Sequence, residues 1–91
     1  MQTQNLGARD ENVGLTPYTT RILQAIQQDD PIANKSVFVR IDSQVVSGVQ
    51  YWFVFKVDGQ LKEAKAWAKA VPQGEVEITT IDGQKLNIIM Q

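Results

Sequence analysis

Residues 51–70, Tyr51-Trp52-Phe53-Val54-Phe55-Lys56-Val57-Asp58-Gly59-Gln60-Leu61-Lys62-Glu63-Ala64-Lys65-Ala66-Trp67-Ala68-Lys69-Ala70, hold two alternating runs joined by a turn signal. Tyr51, Phe53, Phe55 and Val57 share one face of the first run, and Trp52, Val54 and Lys56 the other. In the second run Ala64, Ala66, Ala68 and Ala70 oppose Glu63, Lys65, Trp67 and Lys69. A period of two belongs to a strand, because successive side chains leave opposite faces of the backbone. Asp58-Gly59 supplies two residues that tolerate positive φ, as a two-residue hairpin requires. The stretch therefore predicts an antiparallel pair. Its row of alanines leaves room for a bulky element on that face.

Working outward, Val37, Val39 and Ile41 alternate with Phe38, Arg40 and Asp42, which predicts a further strand upstream. Downstream, Val71-Pro72-Gln73-Gly74 reads as a turn, followed by a strand with Val76 and Ile78. Asp82-Gly83 interrupts it before Leu86, Ile88 and Met90. Thr16-Pro17 has the form of a helix start, with Thr16 as cap and Pro17 at the first helical position. Tyr18, Ile22, Leu23 and Ile26 then fall on one stripe, and Asp30-Pro31 is the expected stop. Such a helix, about 20 Å long, matches the width of four strands about 4.8 Å apart. The fold class is α+β: an antiparallel sheet of four to five strands wrapped around one α-helix. The whole chain, 1–91, is expected to be one domain, with residues 1–14 a flexible arm.

Composition narrows the chemistry. The chain has no cysteine and no histidine, which removes thiolate nucleophiles, disulfides, the commonest general base and the commonest metal ligands. Nine basic against ten acidic side chains offer no field for nucleic-acid phosphates or a membrane surface. The expectation is a protein that is not an enzyme and takes no metal or cofactor. The polar start, Met1 to Asn5, carries no signal pattern, so the expected location is cytoplasmic, or secreted if a leader has been removed.

Gln44-Val45-Val46-Ser47-Gly48 stands out, because two aliphatic residues occupy what should be a polar loop. Either the valines belong to a bulge or a long strand and remain in the core, or they form an exposed tip that enters a groove on a partner. In the second case Gly48 supplies the tight return. Other features read more plainly. Trp52 and Trp67 are expected as cross-strand packing partners. Asp29-Asp30 and Asp10-Glu11 are expected to be solvated rather than catalytic dyads, Lys62, Lys65 and Lys69 to mark a solvated edge, and Ser47 has no base to activate it.

Gln44-Val45-Val46-Ser47-Gly48, with Tyr51 three residues beyond, resembles the Gln-x-Val-x-Gly first hairpin of the cystatin superfamily. Glu63-Ala64-Lys65-Ala66-Trp67 resembles the Glu-Ala-Lys-Val-Trp strand of plant cystatins, and Val71-Pro72-Gln73 the Leu-Pro-Gly second hairpin of stefins. Leu6-Gly7 is similar to the glycine of the N-terminal trunk. The likeness runs through most of the chain in order, although the second hairpin lacks the family's Pro-Trp pair. It implies a reversible, tight-binding inhibitor of papain-like cysteine proteases. By that resemblance Leu6 and Gly7 would lie on the non-primed side of the protease cleft. Gln44, Val45, Val46, Ser47 and Gly48 would lie over its catalytic centre, and Val71, Pro72 and Gln73 on its primed side. It also implies a monomer able to exchange its helix and adjoining strands with a second copy through residues 44–48. The competing reading is a non-inhibitory protein-binding module on the same fold. An enzyme using carboxylates or lysines would need such groups facing the core, where the inward positions are almost all apolar.

Overall fold

The computed structural model describes residues 7–90. Helix α1 spans Pro17–Asp29 and starts with a reciprocal cap. The Thr19 amide donates to Thr16 Oγ1 at 3.1 Å, and the Thr16 amide donates to Thr19 Oγ1 at 2.8 Å. Two of the donors a helix start leaves unpaired are thus satisfied. Ile22, Leu23 and Ile26 are buried, as the apolar stripe predicts, and Thr19 is buried with them. Tyr18 lies at the stripe's exposed margin.

Asp30 departs from expectation. The helix does stop there, but a second short helix, α2 (Pro31–Lys35), begins at once. Proline disfavours helical geometry at the residue before it yet suits the first position of a new helix. Asp30 is buried rather than solvated. Its Oδ1 accepts from the Ile32 and Ala33 amides at 3.0 and 3.3 Å, and its Oδ2 from the Ile81 amide at 2.8 Å. One carboxylate caps α2 and pins a distant turn.

Five strands follow: β1 (Val37–Val46), β2 (Gly48–Val57), β3 (Gln60–Lys69), β4 (Glu75–Thr79) and β5 (Lys85–Ile89). They form one antiparallel sheet in chain order. Ile41 opposes Phe53, which opposes Ala64; Tyr51 opposes Ala66, which opposes Ile78. These residues share the face that packs with Ile22, Leu23, Ile26 and Ala33 in one core. Ala64 and Ala66 are fully buried there. Burying Phe53 and Phe55 contributes about 1.5–3 kcal/mol each.

The register corrects one expectation about the sheet and sharpens two others. The alternation in β1 is broken by a bulge between Phe38 and Arg40, so Phe38 and Ile41 both serve the core while Val37 and Val39 are exposed. An extra residue in one strand shifts every later side chain by one position. Strand β3 is central in the sheet, but β4 pairs with it only from Lys65 to Ala68, so Lys65 lies within the ladder while the exposed Lys62 lies on a stretch without a β4 partner. Trp52 opposes Lys65 and Trp67 opposes Gln50, so the two indoles are diagonal neighbours on one face rather than directly opposite.

Part of the segment expected to be an arm is laid against the outer edge of β1. The Asp10 amide donates to the Ser43 carbonyl at 2.7 Å, the Ser43 amide to the Asp10 carbonyl at 2.9 Å, and the Val13 amide to the Ile41 carbonyl at 2.9 Å. Among the described residues no helix is long and apolar enough to cross a membrane.

Candidate functional site

The first hairpin is built so that its tip stays apolar and fixed. Pairing between β1 and β2 continues through Val45 with Val49 and Val46 with Gly48, which leaves Ser47 alone at the bend. Gly48 has φ of +97°, and a Cβ there would meet the Ala68 carbonyl oxygen at 2.1 Å. Only glycine lets β3 approach this closely. Trp67, from the third strand, donates its indole N–H to the Ser47 carbonyl at 2.9 Å. The tip is thus held by strands on one side and an aromatic brace on the other.

Val45 and Val46 do not turn into the core; they are 52% and 43% exposed. Two neighbouring β-branched residues on a rigid bend forgo part of the roughly 1.5–3 kcal/mol that complete burial of each would provide. Val45 shares the helix-side face with Val49, and Val46 points to the opposite face. The tip is apolar on both sides.

Two other segments reach the same end of the sheet. The Gln44 side-chain amide donates to the Gly7 carbonyl, joining the N-terminal segment to the hairpin. Leu6 lies outside the described residues. The turn after β3 carries Val71, Pro72 and Gln73, all exposed, Val71 by 83%. It is anchored by Gly74, whose carbonyl accepts from the Met90 amide at 2.6 Å. Gly74 has φ of +94°, and a Cβ there would lie 2.8 Å from the Met90 carbonyl oxygen. Between the hairpin and this turn lies an open cleft of about 470 Å³, lined by Tyr18, Gly48, Tyr51, Ala68, Gln73 and Met90 among others.

Behind the hairpin, on the face away from α1, stands a charged cluster that the sequence pattern does not reveal. Asp42 is fully buried. It accepts from Arg9 Nε at 3.0 Å and Arg9 Nη2 at 2.7 Å, from the Asn12 amide at 2.8 Å, and from Arg40 Nε at 3.0 Å. Arg9 also pairs with Glu63, and its guanidinium sits 4.3 Å from the centre of the Trp52 ring. Burial opposes ionisation of Asp42, but the Asn12 amide and the two arginines together outweigh it and hold the carboxyl below its ordinary range. Burial, with a smaller contribution from Tyr18, pushes the Tyr51 hydroxyl above its usual value.

The hairpin tip supplies shape and apolar surface, and the cleft beside it is lined by Lys69 as well as by the two tyrosines. Ser47 offers its carbonyl to Trp67. Among the described residues no group of three or more acidic, histidine or cysteine side chains forms a metal site. Comparison with protein-family models, with curated proteins and with solved structures finds no match.

Proposed function

We propose that this end of the sheet is a preformed docking edge whose occupant is the active-site cleft of a papain-like cysteine protease, blocked reversibly. The observation that carries this reading is the exposure of Val45 and Val46 on a bend braced by Gly48, Trp67 and Gln44. The Gln44–Gly48 pattern, through its likeness to cystatins, supplies the class of partner. Gly7 and the Val71–Gln73 turn flank the tip and would engage the two sides of the cleft, together with Leu6.

A rigid apolar wedge loses little conformational freedom on binding, so a modest contact area can give high affinity. It places no scissile peptide in attack geometry and so is not cut. Titration of papain with the protein tests the reading. Stoichiometric loss of activity is expected, and Gly48→Trp should weaken it. Undiminished activity at micromolar protein would overturn it.

A second reading keeps the docking edge and changes the partner. The Val71-Pro72-Gln73 turn, without the Pro-Trp pair found in cystatins, favours a non-inhibitory binding module. A folded protein that binds neither active nor catalytically blocked papain, and that captures a different protein, would distinguish it.

A further inference from the structure

The Arg9 cluster is more than a surface ion pair, and the docking edge alone does not explain it. Three contacts run in order along the outer side of β1: Val13 to Ile41, Asp10 to Ser43, and Gly7 to the Gln44 side chain. They lead from the middle of β1 to the hairpin tip. We propose that residues 9–13 are a strap that positions Gly7 beside the tip, with Arg9 as the positioning residue. This rests on the docking-edge reading, because the strap matters for binding only if Gly7 and the residues before it contact the partner.

The chemistry of the anchor supports the assignment. Arg9 meets two carboxylates and an aromatic face at once, a combination that suits a planar guanidinium and not an ammonium. Asp42 is fixed from its own strand by Arg40 and from the strap by Arg9 and the Asn12 amide. Asn12 adopts φ of +57°, the left-handed conformation that asparagine tolerates, which aims its amide at the carboxylate. Arg9 and Glu63 remain about one-third exposed while Asp42 is inaccessible. The strap therefore closes over a built-in anchor, and the ordering of Gly7 is completed before any partner arrives.

Hydrogen exchange on the full chain, with Arg9→Ala and Arg9→Lys beside the wild type, tests the strap with no protease present. The Asp10, Val13 and Ser43 amides should lose roughly tenfold or more protection in Arg9→Ala, with only partial recovery in Arg9→Lys, while α1 and β2 amides keep theirs. Unchanged protection at Asp10 and Val13 would overturn the strap. Papain affinity of the same variants, with and without residues 1–7, tests positioning. Arg9→Ala should weaken the full chain roughly tenfold and leave the shortened chain unchanged. Equal losses in both backgrounds would make Arg9 merely structural and overturn its positioning role. If the wild type does not inhibit papain, the docking-edge reading fails, and the exchange result still decides whether the strap exists.

Discussion

Strand β2 ends in two turns that solve the same geometric problem with opposite materials. At Val57 the chain reverses through Asp58 and Gly59, with φ of +49° and +81°, in open solvent. A Cβ on Gly59 would touch nothing within 4 Å. At Gly48 the reversal is made of two valines and a serine, and a Cβ on Gly48 would strike the backbone of β3. The first turn has the composition that folding alone would choose. The second exposes apolar surface, is braced by Trp67 and Gln44, and lies beside the Gly7 and Val71–Gln73 segments. Where a turn departs from the solvent-compatible choice and is still held rigid, the departure points to something outside the molecule.

The contrast can be broken most sharply at its glycines. Gly48→Ala should destabilise the fold by about 3–5 kcal/mol, from backbone conformation and collision together, whereas Gly59→Ala should cost only about 1–2 kcal/mol from conformation alone. Urea unfolding of the two variants checks this, and equal losses would remove the distinction between the turns.

The valines come next. Replacing Val45 and Val46 together by serine should leave the melting temperature within a few degrees of wild type but weaken papain inhibition roughly ten- to a hundredfold. A large stability loss with affinity intact would return them to a structural role.

Acid sharpens the comparison at the braced end. Asp42 has a folded pKa below the ordinary carboxylate value of about 3.9, so its contribution is complete above that value and is lost as pH falls through the folded pKa. As pH falls below about 5, unfolding free energy should drop more steeply in wild type than in Asp42→Asn. Parallel profiles would remove Asp42 from the bracing.

The smallest effect belongs to the plain turn. Asp58→Asn should change stability by no more than about 0.5 kcal/mol and leave papain inhibition unaltered, because asparagine accepts the same left-handed backbone.

These contrasts also mark what a sequence makes legible. Asp58-Gly59, the alanine row of β3 and the Thr16-Pro17 start are local patterns, and the residues that enforce them lie within a few positions of one another. The bulge at Val39 is not legible, because an inserted residue leaves the hydrophobic content unchanged while reversing the faces that follow it. Asp30 resembles any solvated acid at a helix end until the Ile81 amide arrives from 51 residues away. Arg9 reaches Asp42 and Glu63 across 33 and 54 residues. The exposed valines of the site were visible as a violation of loop chemistry. The brace from Trp67 was not, since it depends on the register that brings Ser47 within reach of β3.

The segment lying against β1 has one more effect. By occupying backbone groups of Ile41 and Ser43, it denies an incoming strand a continuous ladder on that margin. Among the described residues the opposite margin, β5, has no such cover, and carries an exposed Lys85 at one end and an exposed Ile89 at the other. A strand adding along β5 would meet the charge of Lys85 at one end, and one adding along β1 would find only its first residues, 37–40, clear of the segment's backbone bonds.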